Sequence, residues 1–456
     1  MRATNDTIVA IATPAGRGAV GIVRIAGADL APMIAGIIGK SMLPRMATFA
    51  RFRDAHGDAI DQGLALHFPA PHSFTGDDVL ELQGHGGRAV LDLLLARCVE
   101  LGARLAAPGE FTQRAYLNDK IDLAQAEGVA DLIDAASATA ARAAARSLTG
   151  EFSRAIGDVD AALVELRMFV EATLDFPEED IDFVRAHDAA ARLAAIGVAL
   201  ERLQVRANAG ARLRNGISVA LVGRPNVGKS SLLNRLSGDD AAIVTPVAGT
   251  TRDSIEREIA LGGIALTVID TAGLRDTVDT VERVGIERTW QAITRADVAL
   301  LVVDARATHH GCTLDAEDAA LLARLPASLS KIIVHNKADL AGGGFGVQPR
   351  DGVVHVRLSA LTGEGIALLE RELQQLAGAS DASEHGFLAR ERHLVALRAA
   401  AQHVAAATAH LALAAPPLEL FAEELRGAHH ALSSITGAFT ADDLIGVIFA
   451  RFCIGK

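Results

Sequence analysis

The chain of 456 residues has few cysteines, few aromatic residues and no long apolar run. Its cysteines, Cys98, Cys312 and Cys453, are far apart, odd in number and without metal-ligand spacing, which argues against a disulfide framework and indicates a reducing compartment. Aromatic residues make up only 4% of the chain and alanine is abundant, a composition that favours packed helices. No stretch approaches the ~20 uninterrupted apolar residues that span a bilayer, so the sequence predicts a soluble, cytoplasmic protein.

Positive charge is also in deficit. The chain has 44 Lys and Arg against 56 Asp and Glu, which gives a net charge of −12 at pH 7. A protein that coats nucleic acid with its whole surface needs the opposite balance, because phosphate groups are neutralised by clustered positive charge. A local basic patch remains compatible with this composition.

The pattern along the chain predicts a multidomain protein. Short β-like runs between turns over 1–118 predict an N-terminal α+β domain. Apolar residues at helical spacing predict helices over 119–215 and again over 379–456, and the polar stretch 208–216 suggests a boundary. Repeated strand, loop and helix patterns over 216–378 predict an α/β domain inserted between two halves of a helical domain.

The strongest motif is GRPNVGKS at 223–230, which matches the GxxxxGK[ST] phosphate-binding loop. It follows an apolar strand at 218–222 and precedes a helical run, which is the context that gives the motif its mechanism. The glycines let backbone N–H groups face the phosphates, Lys229 reaches the β and γ oxygens, and Ser230 ligates Mg²⁺.

Four further elements, in strand-end or loop positions, complete a predicted guanine-nucleotide site. Thr251 supplies a hydroxyl for the same metal, and Asp270, in DTAG, ends a strand within reach of the metal shell. Asp339, in NKAD, can accept two hydrogen bonds from the N1–H and 2-amino edge of guanine, which adenine lacks. Ser359 and Ala360, after the last strand, complete the predicted base pocket. The order of these elements resembles that of translation-factor-class GTPases and favours GTP over ATP. The predicted nucleotide-binding residues are Asn226, Val227, Gly228, Lys229, Ser230, Ser231, Thr245, Pro246, Val247, Ala248, Gly249, Thr250, Thr251, Asp270, Thr271, Ala272, Gly273, Asn336, Lys337, Ala338, Asp339, Ser359, Ala360 and Leu361.

The predicted hydrolytic machinery differs from that of the small signalling GTPases. Leu274 stands where those proteins place a water-orienting glutamine, and it has no group that could hold a water. Taken alone, the residues leave four carboxylates as equal candidates for that role: Asp276, Asp279, Glu282 and Glu287. Oxygen atoms of Asn226 and the 245–250 segment could hold a monovalent cation against the phosphates in place of an arginine finger.

Several segments together resemble one protein family over essentially the whole chain. They are DTIVA at 6–10, APGEFTQRA at 107–115, NDKIDLAQAE at 118–127, the nucleotide-binding motifs, and the terminal CIGK at 453–456. This combination, in this order, resembles the MnmE (TrmE) family of tRNA-modification GTPases.

The resemblance implies an inserted P-loop GTPase (Ras-like) domain, activated by potassium-dependent pairing of two such domains. It implies a homodimer joined by N-terminal domains that bind 5-formyltetrahydrofolate or a related one-carbon folate. It also implies an FAD-dependent partner, MnmG (GidA), which forms a heterotetramer with the dimer. Together they add a carboxymethylaminomethyl or aminomethyl group to C5 of the wobble uridine, position 34, of certain tRNAs.

The same resemblance implies roles for individual residues. Glu282 falls on the family's water-orienting glutamate, and Cys453 falls near the dimer interface and the modification site, with a buried inert thiol as the alternative. The implied folate contacts are Arg24, Glu81, Lys120 and Lys456. The implied metal ligands are Ser230 and Thr251 for Mg²⁺, and Asn226, Thr245, Val247 and Thr250 for K⁺.

A function of another class stays open at this point: a regulatory GTPase switch for assembly of a ribosomal or other RNA complex. A plain assembly GTPase lacks the N-terminal domain and the CIGK tail. Those two features therefore favour the tRNA-modifying enzyme.

Overall fold

The computed structural model describes residues 6–175, 188–237, 256–261, 264–270, 290, 293–294, 296–307, 314–326, 329–350, 352–376, 386–437, 448–450, 452–453 and 455. The chain divides into two compact units. The first comprises Met1–Ala130, Ser147–Val198 and Ala396–Lys456, and the second comprises Asp131–Arg146 and Ala199–Val395. No helix in the described ranges combines the length and apolar character needed to cross a bilayer.

The first unit contains a mainly antiparallel sheet. Its described strands are β1 (Ile8–Ile11), β2 (Gly18–Gly27), β3 (Thr48–Arg53), β4 (Ala59–Phe68), β5 (Asp78–Gly86) and β6 (Arg104–Leu105). Their order is β3-β4-β5-β2-β1-β6, with only the β1–β6 pair parallel among these strands. Side chains alternate between two faces, and one face forms a core with Phe52, Leu80 and Leu94 fully buried.

Cys98 belongs to that core and has no exposed surface. Burial raises the pKa of its thiol to about 12, because a thiolate is poorly solvated there. Cys98 is therefore a packing residue and not a reactive one.

The helices account for much of the remaining described chain. In chain order they are α1 (Arg88–Glu100), α2 (Glu110–Leu117), α3 (Leu123–Ile133), α4 (Ala138–Leu148), α5 (Glu151–Asp175), α6 (Ala189–Asn215), α7 (Lys229–Ser237), α8 (Ala316–Arg324), α9 (Ile366–Leu376), α10 (Glu391–Leu411) and α11 (Leu418–Thr436). The apolar helical spacing predicted within 119–215 is confirmed on α5, where Leu163, Leu166 and Val170 are all fully buried. Helix α5 packs against α11, where the Nδ1 of His429 lies 2.7 Å from a carboxylate oxygen of Asp160.

The polar stretch that suggested a boundary is mostly helical. Helix α6 continues through Asn208 and Gly210 and ends at Asn215. Glycine is needed inside this helix because a Cβ on Gly210 would lie 1.9 Å from the carbonyl oxygen of Phe387. The chain then turns at Gly216, whose φ of +67° suits glycine, and enters the next strand.

The second unit contains the α/β sheet. Its described strands are β7 (Ile217–Val222), β8 (Glu256–Leu261), β9 (Ile264–Asp270), β10 (Val298–Asp304), β11 (Ser330–Asn336), β12 (Gly346–Arg350) and β13 (Val353–Arg357). They lie in the order β12-β13-β11-β10-β7-β9-β8, and the pairs from β13 to β9 are parallel. The strands β12 and β8 pair antiparallel at the two edges.

The parallel strands place their carboxyl ends at one edge of this sheet. The last residues of these strands include Val222, Asp270, Asp304 and Asn336. In open α/β sheets ligands bind outside this edge, where loops from neighbouring strands meet. The predicted motifs that follow these strands are therefore brought to the same side.

Candidate functional site

The phosphate-binding loop adopts a conformation that its glycines make possible. Gly223 and Gly228 have φ values of +151° and +98°. A Cβ on Gly223 would lie 2.3 Å from the carbonyl oxygen of Val302, and one on Gly228 would lie 2.2 Å from the Nδ2 of Asn336. The loop is thus pressed against β10 and β11, and any larger residue at either position would push it away from them.

The loop leads directly into helix α7, which begins at Lys229. The Nζ of Lys229 donates to the carbonyl oxygens of Gly223 and Arg224, at 2.5 and 2.9 Å. The ammonium therefore lies against the loop, beside the backbone N–H groups of the first turn of α7. This pairing of backbone donors and a lysine is suited to phosphate oxygens.

The base-recognition motif is bonded directly to the phosphate-binding loop. The Nδ2 of Asn336 donates to the carbonyl oxygen of Val227 at 2.9 Å, and its Oδ1 accepts from the backbone N–H of Ala360 at 2.9 Å. The Nζ of Lys337 donates to the carbonyl oxygen of Asn226 at 2.6 Å. Three loops from three strands thus form one hydrogen-bonded unit.

Asp304 and Arg306 extend this unit, and sequence reasoning did not identify them. A carboxylate oxygen of Asp304 accepts from Lys337 Nζ at 2.9 Å and from an Nη of Arg306 at 2.7 Å. The Arg306 and Lys337 hydrogen bonds hold the pKa of Asp304 well below its usual range, so the carboxylate stays ionised. The position of Asp304 at the carboxyl end of a predicted strand was the available signal.

Arg224 attaches the same loop to helix α8 and was also missed. Its guanidinium donates to Glu317 at 2.8 Å and to Asp318 at 2.9 Å, and it is also bonded to Asp315, which caps the helix through the backbone N–H of Asp318. Asp318 is only 1% exposed, and burial raises its pKa. The carboxylates in turn raise the pKa of Arg224.

These groups line a cavity of about 600 Å³, a volume suited to a small ligand. The lining residues are Arg224, Pro225, Asn226, Val227, Asp304, Arg306, Ala307 and Lys337. Asp339 is exposed beside them, and its carboxylate has no hydrogen bond to any described residue. It is therefore free to accept hydrogen bonds from a base.

A second site lies on the sheet of the first unit. Arg24 on β2 and Glu81 on β5 are cross-strand partners, and the Nε and an Nη of Arg24 lie 3.0 and 2.9 Å from Glu81 Oε1. The other Glu81 oxygen accepts from Gln83 at 3.3 Å, and the Arg24 guanidinium lies 5.8 Å from the centre of the Phe111 ring. Arg24 is therefore a fixed cation and not a free surface group.

The end of the chain reaches this pair. The carbonyl oxygen of Gly455 lies 3.5 Å from an Nη of Arg24, and a Cβ on Gly455 would lie 2.5 Å from the carbonyl oxygen of Ile11. The carbonyl oxygen of Cys453 accepts from the backbone N–H of Gly109 at 3.3 Å, and the Cys453 side chain is exposed. The tail thus lies along the N-terminal sheet, where Gly455 contacts Arg24 and the Cys453 thiol is exposed.

Comparison with known proteins identifies the family. The family model described as the MnmE helical domain matches residues 123–453, and that described as the GTP-binding protein TrmE N-terminus matches residues 7–120. The chain belongs to the MnmE (TrmE) family.

Relatives in this family match the chain over nearly its whole length. The tRNA modification GTPase MnmE of Chromobacterium violaceum is 58% identical over 454 residues, covering 99% of both chains. That of Dechloromonas aromatica is 57% identical over 452 residues, covering 99% of this chain and 100% of the relative. The family prediction and the multidomain fold class, with N-terminal α+β, two-part helical and inserted α/β parts, are confirmed.

The described structure brings together many of the site residues that the sequence predicts. Ser230 and Ser231 lie in the first turn of α7, while Ser359 and Ala360 are buried and Leu361 is 78% exposed at the loop that Asn336 binds. Lys120 is exposed and has no hydrogen bond or ion pair to Arg24 or Glu81 among the described residues.

Other predicted residues lie outside the described residues. They are Thr245, Pro246, Val247, Ala248, Gly249, Thr250, Thr251, Thr271, Ala272, Gly273, Glu282 and Lys456. Asp270 is the last residue of β9, and the described part of the structure does not include its side chain. Within the described ranges no group of three or more His, Cys, Asp or Glu side chains is arranged to hold a metal ion.

Proposed function

We propose that this chain hydrolyses GTP as one component of a tRNA-modifying complex. With the FAD-dependent partner MnmG it adds a carboxymethylaminomethyl or aminomethyl group to C5 of uridine 34 of certain tRNAs, in the cytoplasm. The assembly is a homodimer of this chain in a heterotetramer with the partner. The observation that best supports GTP hydrolysis is the pair of hydrogen bonds from Asn336 and Lys337 to the phosphate-binding loop. These bonds join the motif that would bind the base to the loop that would bind the phosphates.

The residues of the nucleotide site divide the work of binding GTP. Asp339 accepts from the guanine N1–H and 2-amino groups, and Lys337 is held beside it by Asp304. The N–H groups at the start of α7 contact the phosphates, and Lys229 exchanges its two carbonyl partners for β and γ oxygens. This exchange places the ammonium where negative charge develops during hydrolysis.

Ser230 fits the proposed role of a Mg²⁺ ligand. Its hydroxyl is exposed at the start of α7 and has no hydrogen bond to a described residue, so its oxygen is available to a hard cation. Thr251 is proposed as the second protein ligand. Mg²⁺ held by these hydroxyl oxygens would supply positive charge to the phosphate oxygens of GTP.

Asn226 fits the proposed role of a K⁺ ligand. Its backbone is held in the left-handed region at φ +63° by the Lys337 bond, while its exposed amide has no partner among the described residues. Thr245, Val247 and Thr250 are proposed to complete the ligand set. Bound K⁺ supplies the charge that an arginine finger gives elsewhere, and Glu282 is proposed to orient the attacking water.

The N-terminal sheet fits the proposed binding of a one-carbon folate. The Arg24 cation suits a glutamate carboxylate of the folate, and the Glu81 carboxylate suits the N–H groups of the pterin ring. Lys120 and Lys456 are proposed as further contacts, and Cys453 as a functionally important thiol at the modification site. The proposed domains are 1–118, 119–215, 216–378 and 379–456, the second and fourth forming the helical domain.

Reconstitution of the modification reaction tests this proposal. The full chain is mixed with the partner, a tRNA transcript, the folate donor, GTP, Mg²⁺ and K⁺, and nucleosides are identified by mass spectrometry. Wild-type protein should produce the modified uridine, Lys229→Ala should lose both hydrolysis and modification, and Glu81→Gln should lose only modification. Steady GTP hydrolysis without any modified uridine would overturn the tRNA part and favour a regulatory switch.

A further inference from the structure

One segment of this acidic chain is strongly basic. Between Asp29 and Asp54 there is no acidic residue, although the chain as a whole has a net charge of −12. The same segment contains four cations, and all four are exposed: Lys40, Arg45, Arg51 and Arg53. Positive charge is therefore concentrated on one short part of the surface.

The fold arranges this segment along the edge of the N-terminal sheet. Strand β3 is the edge strand, and its residues Phe49, Arg51 and Arg53 alternate on the exposed face while Ala50 and Phe52 point into the core. Alternate residues on a strand lie about 7 Å apart on one face. The side chains of β3 thus form a short row on a rigid element.

The other two cations lie next to this row. The Nζ of Lys40 donates to the carbonyl oxygen of Phe49 at 2.8 Å, which holds it on β3. The guanidinium of Arg45 is bonded to the carbonyl oxygen of His72 and lies 6.0 Å from the centre of the Phe68 ring. We call the surface formed by Lys40, Arg45, Phe49, Arg51 and Arg53 the β3 patch.

The charge of the β3 patch is not compensated nearby. None of its four cations forms an ion pair with a carboxylate of the described chain. Asp54, which follows Arg53 directly, instead accepts the backbone N–H groups of His56 and Asp58 at 2.8 and 2.9 Å. The patch therefore keeps its attraction for an external anion.

An exposed aromatic ring lies among these cations. Phe49 is 62% exposed, and its cross-strand partner Leu64 is 40% exposed. Charged residues on an edge strand are explained by the need to prevent strands of other molecules from pairing with it. Protection of the edge does not explain why a large apolar ring is exposed there. Surfaces that bind single-stranded nucleic acid commonly combine an aromatic ring, on which a base stacks, with neighbouring arginines.

We propose that the β3 patch binds RNA of the tRNA substrate, with its cations on the phosphates and a base stacked on Phe49. This inference rests on the proposed function and adds a docking surface to it. Charge selects RNA over a second copy of the chain, because a two-fold contact through the patch would bring like cations together. A peptide that adds a strand is also disfavoured, since Lys40 already occupies the carbonyl of Phe49.

Binding measurements on the full chain test the proposal. Fluorescence anisotropy with a labelled single-stranded 12-nucleotide RNA and a labelled tRNA transcript is followed as KCl is raised. Arg51→Glu should weaken binding about tenfold and reduce the slope of log affinity against log salt by about 1, because a phosphate contact is lost. Phe49→Ala should weaken binding at least roughly fivefold through lost stacking, and Arg51→Lys should retain most of the affinity.

The control is Arg154→Glu, which makes the same charge change at an exposed position of α5 and should alter affinity less than about twofold. Equal losses in Arg51→Glu and Arg154→Glu would overturn the proposal, since only net charge would matter. Absence of RNA binding by the wild type at low salt would also overturn the proposal. The same holds if the substitutions leave RNA binding unchanged and instead alter self-association or partner binding. GTP hydrolysis without RNA is measured in parallel, and its absence in the wild type would instead refute the proposed function.

Discussion

Acidification should destabilise the α/β domain through a pair of buried histidines. His335 on β11 is fully buried, and its ring stacks on that of His355 on β13 with centroids 5.3 Å apart. The Nε2 of His335 lies 3.0 Å from the Nδ1 of His355. A hydrogen bond between these atoms needs one neutral ring as acceptor, so the pair resists taking a second proton.

The size of the effect follows from the pKa of His335. Burial, with smaller contributions from His355 and Arg357, lowers this pKa from 6.5 to about 4. Below pH 6.5 the unfolded chain therefore binds a proton that the folded chain does not, and stability falls with pH until the folded pKa is reached. The expected loss is about 2 kcal/mol between pH 7 and pH 5, and about 3 kcal/mol once pH 4 is reached.

The single tryptophan of the chain allows the stability of the α/β domain to be measured by fluorescence. Trp290 packs against the same cluster as Ile333 of β11, so its fluorescence during urea unfolding reports on this sheet. The wild type is compared with His335→Gln, and with His56→Gln as a control at an exposed histidine. Between pH 7 and pH 5, the free energy of unfolding of the wild type and of the control should fall by about 2 kcal/mol more than that of His335→Gln. An equal loss in all three proteins would refute the reasoning.

Three further substitutions follow from the sites. Asp339→Asn should shift hydrolysis from GTP towards xanthosine triphosphate, because the amide offers a donor where the carboxylate accepts; competing rates with both nucleotides measure this. Arg224→Ala should destabilise the α/β domain by roughly 3 kcal/mol in urea unfolding and weaken GTP binding, because it leaves the buried carboxylate of Asp318 without its counter-ion. Gly455→Ala should reduce tRNA modification and spare GTP hydrolysis, because its Cβ would collide with the Ile11 carbonyl.

For each of these substitutions, one outcome would contradict the prediction. Unchanged preference for GTP in Asp339→Asn would show that another group reads the base. If Arg224→Ala loses the same stability in a background that already carries Asp318→Leu, the loss does not come from the unpaired carboxylate. A fall in GTP hydrolysis in Gly455→Ala equal to the fall in modification would contradict a local role for the tail.

The parts predicted well from sequence are those where residue type and spacing act locally. The parallel strands at β7, β9 and β10 are predominantly apolar runs, which is typical of strands covered on both faces. The glycines of the phosphate-binding loop were correctly linked to a tight backbone. Arg24 and Glu81 were named only through the family resemblance, and the structure shows the two side chains paired with each other.

The parts that were missed depend on contacts between distant segments or on weak patterns. Strand β12 contains Pro349, which is acceptable only because this strand lies at the edge of the sheet, and nothing local reveals that position. Arg224 meets carboxylates more than ninety residues away, so its role could not be read from spacing. Strand β3 did carry a signal, since TFARFR alternates with period 2.

The rate of GTP hydrolysis in matched K⁺ and Na⁺ buffers tests the account most directly. Purified full-length protein is assayed at equal ionic strength, with Asn226→Ala as the comparison, because Asn226 is the described residue proposed to hold the cation. The account predicts fast hydrolysis in K⁺, slow hydrolysis in Na⁺, and loss of the difference in Asn226→Ala. Equal rates of the wild type in both salts would contradict cation-activated hydrolysis and favour a regulatory switch.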